Sequence, residues 1–153
     1  MNAERIVELN YRYAQCLDDN RLSEWPDFFT DEGRYLIHPR ENLDAGMEGY
    51  WLYFENKRML RDRVVSLLEV NIYQIRRERR FVSNVMVTGR DGDAWLARAN
   101  YMVMHTDNEG RSSIFSVGEY RDRIVESDGR LRFSERQVVA DTFLVPSHLS
   151  MPI

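Results

Sequence analysis

The stretch Ala94-Trp95-Leu96-Ala97-Arg98-Ala99-Asn100-Tyr101-Met102-Val103-Met104-His105-Thr106 decides the reading of this chain. Successive side chains of an extended strand point to opposite faces, so the stretch divides into two sets. Trp95, Ala97, Ala99, Tyr101 and Val103 form one face, apolar throughout and suited to a core covered by helices. Leu96, Arg98, Asn100, Met102 and Met104 form the other, which is only half polar. Contiguous Met and Leu on a sheet suggest contact with another subunit. The alternative is a sheet that curls and partly covers its own second face. An oligomer is expected.

Three further strands surround this one: Val82 to Thr88, Ser112 to Val125, and Leu131 to about Leu144. Between them lie Gly89-Arg90-Asp91-Gly92, Asp107-Asn108-Glu109-Gly110 and Ser127-Asp128-Gly129. Gly and Asx supply the positive backbone angles that hairpins need. Upstream the period changes. Ile6, Leu9, Tyr13 and Leu17 recur at three- and four-residue spacing and predict a helix from about Asn2 to Asp19. A short second helix follows, with Ser23 as N-cap and Trp25, Phe28 and Phe29 packing down from it. Thr30 to Gly33 reads as a turn, Arg34 to His38 as a strand stopped by Pro39, Arg40 to Gly49 as a loop, and Trp51 to Phe54 as a short strand. A second long helix covers Asn56 to Leu68, with Met59, Val64, Leu67 and Leu68 as its apolar side. Helices first and antiparallel hairpins afterwards give an α+β class, in one domain over residues 1–153.

Composition narrows the function. Hydrophobic residues make up 43% and charged residues 30%, ordinary values for a globular chain. No apolar run approaches the roughly 20 residues that cross a bilayer, so no membrane role is expected. The lone Cys16 has no internal disulfide partner, which points to a reducing cytoplasm. A net charge of -4 argues against a nucleic-acid partner. The one basic cluster, Arg76, Arg77, Arg79 and Arg80, reads as a solvated turn or one side of inter-subunit ion pairs. The chain holds 20 Arg and a single Lys, Lys57. Arginine's planar fork suits carboxylate pairing at interfaces, and codon bias in a GC-rich genome gives the same count.

Catalytic signatures are sparse. The chain has no G-x-G-x-x-G, P-loop or G-x-S-x-G. His38, His105 and His148 sit in separate elements, without the spacing of a metal-binding helix. Asp18 and Asp19 close the first helix, where a carboxylate opposes the helix dipole. Asp141 follows Val138, Val139 and Ala140; it either pairs with one of the arginines or, half-buried, serves as a base. Of the two Arg-Asp-Arg triplets, 61–63 and 121–123, neither converges on a site; on a strand, Asp122 points away from its two arginines.

Several segments together resemble the small (β) subunits of aromatic-ring-hydroxylating dioxygenases. They are Trp25-Pro26-Asp27-Phe28-Phe29, Arg34-Tyr35, Met59-Leu60-Arg61-Asp62-Arg63-Val64, Phe115 with Gly118-Glu119-Tyr120-Arg121-Asp122, the Leu131 to Asp141 strand, and Pro152-Ile153. The likeness runs from the first helix to the end in preserved order, and looks most similar to the small subunits of terephthalate dioxygenases and salicylate 5-hydroxylases.

This resemblance implies a cone-shaped nuclear-transport-factor-2-like fold, with a strongly curved antiparallel sheet wrapped around the N-terminal helices. It implies a structural, non-catalytic role beside a large (α) oxygenase subunit in an α3β3 assembly, in bacterial catabolism of an aromatic carboxylate or hydroxybenzoate. The large subunit would carry a Rieske [2Fe–2S] cluster and a mononuclear non-haem iron. A Rieske centre needs two Cys and two His, and this chain has one Cys. No catalytic, cofactor-binding or metal-binding residue is therefore expected here. Many members carry a histidine a few residues before an Asn-Val pair, here Asn84-Val85; this chain has Arg80 at that place. The competing expectation is a stand-alone acid/base enzyme of the same cone fold, an isomerase, dehydratase or cyclase using Asp18, Tyr35 or Asp141.

Overall fold

The structure is a computed structural model that describes residues 3–70, 77–142 and 151–153. Along the chain it forms α1 (Ala3–Asp18), a 3-10 helix (Leu22–Phe28), β1 (Phe29–Pro39), α2 (Arg40–Asp44), β2 (Leu52–Phe54), α3 (Lys57–Val70), β3 (Arg77–Asp91), β4 (Ala94–Thr106), β5 (Ser112–Ser127) and β6 (Arg130–Ala140). The strands make one six-stranded sheet in the order β2-β1-β6-β5-β4-β3. β3 to β6 form the expected antiparallel meander. β1 instead lies parallel to β6, with Tyr35 beside Arg136 and Ile37 beside Val138. The α+β class stands, and the sheet is mixed.

The inner face follows the alternation of β4. Ala97, Ala99, Tyr101 and Val103 are buried, and Trp95 is partly so. Ile6, Leu9, Tyr13 and Leu17 bring α1 down on this face, and Leu60, Val64 and Leu67 bring α3. α1 touches β3 and β6, which two strands separate, so the sheet must bend around the helix. Burying each large apolar side chain contributes roughly 1.5–3 kcal/mol. The aromatic centre is built edge to face: Trp25 on Phe29 and Tyr35, and Tyr13 on Phe28, Tyr120 and Phe133.

Two glycine-dependent features fix the meander. Asp128 and Gly129 both have positive φ, the type I′ geometry that joins β5 to β6 in two residues. At Gly118, a Cβ would stand 2.0 Å from the Val139 carbonyl oxygen and 2.9 Å from the Tyr101 ring. Tyr101 fills that space and stacks on Tyr120 with centroids 4.9 Å apart.

Local readings need several corrections. Arg21, whose side chain makes no capping hydrogen bond, occupies the N-cap of the 3-10 helix in place of Ser23. Thr30 to Gly33 belongs to β1, whose register shifts between Phe29 and Arg34. Arg40 to Asp44 is helical. β3 begins at Arg77 and ends at Asp91, so its turn is Gly92-Asp93. On α3, Leu68 is half exposed and Leu60 fully buried, which rotates the apolar stripe by one position. Arg76, His148 and the end of the last predicted strand, residues 143–144, lie outside the described residues.

Candidate functional site: a closed interior and an open sheet face

The interior of a helix-lined sheet is the natural place for acid/base chemistry, and here the described residues fill it with side chains of their own. Arg136 is fully buried at its centre. Its Nε and Nη2 donate to the two Asp122 oxygens at 2.9 and 2.8 Å, and Nη2 also donates to Asn10 Oδ1. The guanidinium stands 3.8 Å from the Tyr120 ring centroid, 4.1 Å from Phe133 and 4.4 Å from Tyr13. Burial pushes the Asp122 carboxyl above its ordinary pKa, against the pull of Arg136. Burial likewise opposes the Arg136 charge, yet Asp122 keeps that guanidinium's pKa raised.

Arg80 is the second buried cation, not a solvated one. β3 turns it inward opposite Val103, where its Nη1 donates to Asp18 Oδ1 at 2.9 Å and Nη2 to Glu78 Oε2 at 3.2 Å. The Arg80 backbone N–H donates to both Asp18 oxygens at 3.1 Å, so Asp18 is a buried anchor rather than an exposed helix end. Arg80 Nη2 also donates to the Pro152 carbonyl at 2.6 Å. Met151, Pro152 and Ile153 are buried, and the Tyr13 and Tyr35 hydroxyls donate to the main-chain oxygen of Ile153 at 2.9 and 3.3 Å. The Ile153 N–H donates back to Tyr35 Oη at 2.8 Å. Burial raises Tyr35 well above the ordinary tyrosine range and raises Tyr13, Tyr101 and Tyr120 as well.

Asp18, Tyr35 and Asp141 therefore do not converge. Asp18 serves Arg80, Tyr35 serves Ile153, and Asp141 is half exposed and accepts from Arg40 Nε at 2.8 Å. The arginine-pairing reading of Asp141 holds. Asp122 does point away from Arg121 and Arg123, which reach Glu119 and Asp91 on the other face. His38 is buried with Nε2 2.9 Å from the Met47 carbonyl, and His105 is half-buried on β4. Among the described residues no group of three or more His, Cys, Asp or Glu is placed to hold a metal ion. Among the described residues no helix is long and apolar enough to cross a membrane. A groove of about 420 Å³ opens between α1, the 3-10 helix and the β5–β6 turn; it is wide and lined by charges such as Arg5, Glu8 and Arg12.

The outer sheet face is the other candidate. Register places Phe81, Met102 and Val117 side by side across β3, β4 and β5, with Met104 and Ile114 paired in the next row. Phe81 is 53% exposed, Ile114 60% and Met86, further along β3, 64%. The greasy outer face expected from Met102 and Met104 is thus wider than β4 alone indicated. Beside it Glu119 accepts from three arginines, Arg40, Arg98 and Arg121. Burial would raise its pKa, but the hydrogen bonds from Arg98 and Arg121 hold it below the ordinary value. Arg77 and Arg79, exposed on β3, have no acid partner among the described residues.

Comparisons with known proteins agree with this arrangement. The SnoaL-like domain family matches residues 2–137. The anthranilate 1,2-dioxygenase small subunit of Burkholderia cepacia is 39% identical over 149 residues, 97% of this chain and 92% of that one. A terephthalate 1,2-dioxygenase terminal oxygenase component β subunit of Comamonas is 29% identical over 153 residues, covering 100% and 99%. The crystal structure of the β subunit of a proposed aromatic-ring-hydroxylating dioxygenase from Novosphingobium aromaticivorans superposes with a TM-score of 0.89 at 36% identity, covering 98% and 95%. With its fold, its order of segments and its full-length likeness in accord, the chain belongs to the SnoaL-like domain family and, within it, to the small (β) subunits of aromatic-ring-hydroxylating dioxygenases.

Proposed function

We propose that this chain, as one domain over residues 1–153, is the structural, non-catalytic β subunit of a Rieske-type oxygenase that hydroxylates an aromatic carboxylate in bacterial catabolism. It would work in the cytoplasm, joined to large (α) subunits in an α3β3 complex. One observation carries the reading. The interior that a stand-alone enzyme would use is filled by the chain's own Met151–Ile153, while an apolar patch on the outer sheet face lies open. Anthranilate and terephthalate, named in two relatives, are both aromatic carboxylates and support that substrate class. The Rieske cluster and the mononuclear iron would reside in the large subunit, where the oxygen chemistry happens. This chain contributes rigidity: the buried ion pairs and aromatic lattice fix the sheet face on which large subunits are held at a set spacing.

The test is co-expression with a neighbouring reading frame that encodes C-x-H…C-x-x-H ligands, followed by sizing and iron analysis. The expected result is a hetero-oligomer that carries all its iron on the larger chain and, given dioxygen and an electron donor, hydroxylates an aromatic acid. A monomer that turns over a substrate by itself overturns the proposal.

A further inference from the structure

The two edges of the sheet carry opposite charge. At the β2 edge, residues 41–56 hold four acids, Glu41, Asp44, Glu48 and Glu55, and no Lys or Arg. All four are exposed, and none forms an ion pair among the described residues. Beside them Met47, Tyr50 and Tyr53 stand 55, 37 and 36% exposed. Local bonds hold this segment in shape. His38 Nε2 lies 2.9 Å from the Met47 main-chain oxygen, and Asn42 Nδ2 donates to that of Gly49 at 2.9 Å. The Tyr50 ring packs on His38 at 4.6 Å and on Tyr53 at 5.1 Å. At the opposite edge, β3 turns Glu78 and Arg80 inward and leaves Arg77, Arg79, Phe81 and Met86 outside. Four strands separate β2 from β3, and among the described residues no ion pair joins the two edges.

We infer that the acidic, tyrosine-bearing edge docks on the arginine-bearing β3 edge of a second copy of this chain, head to tail. Charge fixes the arrangement. Pairing either edge with its own copy sets like charges together, whereas head-to-tail contact sets Asp44 and Glu48 against Arg77 and Arg79. Arginine's flat fork serves both parts of that contact: it pairs with carboxylates through its N–H groups and stacks on tyrosine rings. Strand addition is not the route. β2 has only three residues, and β3 breaks its register between Ser83 and Met86 and again between Val87 and Gly89. The contact therefore runs through side chains. Each copy offers one edge of each kind, so successive contacts either close a ring or grow without end. A ring of three fits the small subunits of the proposed α3β3 complex. The inference rests on that assembly role and adds the surfaces to it. The β4–β5 part of the outer face, with Arg98, Met102 and Val117, stays open to the large subunit.

The experiment is sedimentation velocity on the full chain in low and high salt. The unaltered chain is expected to self-associate and to dissociate as salt is added. Asp44→Arg with Glu48→Arg reverses one edge, and Arg77→Glu with Arg79→Glu reverses the other. Each variant alone is expected to lose at least about tenfold in self-affinity, because like charges then meet at the contact. An equimolar mixture of the two is expected to associate again, since its contacts once more join opposite charges. An unaltered chain still monomeric at about 0.1 mM, a variant that associates as the unaltered chain does, or a mixture that stays monomeric overturns the inference. If a reversed chain does not fold, Asp44→Asn with Glu48→Gln takes its place; it is expected to weaken association, and no change refutes the contact. Co-expression with the large subunit keeps this result apart from the proposed function. A hetero-complex built on chains that do not associate with one another removes this inference and leaves that function standing. If no large subunit binds, that function falls, and sedimentation of the chain alone still decides the contact.

Discussion

Replacing Asp122 by Ala tests the buried lattice most directly. Asp122 and Arg136 both have side chains 0% exposed, and their two hydrogen bonds of 2.8 and 2.9 Å have ordinary, well-aligned lengths. Removing the carboxylate leaves a guanidinium in a pocket of three rings, with Asn10 as its hydrogen-bond partner among the described residues. Breaking a buried pair in this way costs about 3–5 kcal/mol. Unfolding entropy of about 2.1 cal/mol/K per residue, over 153 residues, makes each degree of Tm worth about 0.3 kcal/mol. The expected drop in Tm is therefore about 10–15 °C, read by calorimetry at pH 7. Asp122→Leu combined with Arg136→Met is expected to cost far less than Asp122→Ala alone, because it removes both charges and keeps the volume. If Asp122→Ala costs under about 1 kcal/mol, the pair is not the keystone the geometry makes it.

Other consequences can be checked in parallel. Arg98→Glu with Met102→Glu on the outer face is expected to weaken assembly with the large subunit at least tenfold in sizing experiments, with Tm falling by only a few degrees; an unchanged complex with full turnover means that this face is not the interface. Gly118→Ala is expected to cost about 3 kcal/mol in urea unfolding, since the new methyl group meets the Val139 carbonyl and the Tyr101 ring; a loss below about 0.5 kcal/mol contradicts the close approach. Burial pushes the Cys16 thiol up to about 11. At pH 8 only about one thiol in a thousand is then ionised, so reaction with a disulfide reagent should be slow until denaturant is added, and completion within minutes in the native state refutes it. Glu119 is held below the ordinary glutamate pKa of about 4.3, so its contribution is present above that value and lost as pH falls through the lower, folded one. Arg98→Ala is expected to move that acid-side loss of stability to higher pH in urea titrations; an unshifted profile removes Arg98 from the account.

Where the determining signal was local, the sequence showed it. The alternation in β4 gave both the buried face and the start of the outer patch, and Asp128-Gly129 gave the β5–β6 turn. The stripe Ile6, Leu9, Tyr13 and Leu17 gave α1. Partners distant in sequence were hidden. Arg80 looks solvated within a run of arginines, and partners such as Asp18, 62 residues away, and Pro152, 72 residues away, hold it as a buried group. Extending the strand alternation back from Val82 through Arg80 to Glu78 would have placed both inside, opposite Arg77, Arg79 and Phe81. Arg136, Asn10 and Glu119 carry no sequence signal of their organising role, because partners of each come from other elements. Pro152-Ile153 resembles the family's ending, but no residue pattern announces that Tyr13 and Tyr35 close on Ile153. Leu60 and Leu68 differ only in helical phase, which a one-residue rotation reverses.

The parallel pairing of β1 with β6 has a consequence for synthesis. Tyr35 must wait for Arg136, 101 positions later, before its strand has a neighbour on that side. At about 5–20 residues per second, a ribosome takes roughly 5–20 s to deliver it. During that interval Phe29, Tyr35 and Ile37 are carried by a nascent chain that cannot yet bury them against β6. Such long-range closure is slow and leaves sticky segments bare, so the yield of soluble chain should rise when translation is cooled or a holdase chaperone is supplied.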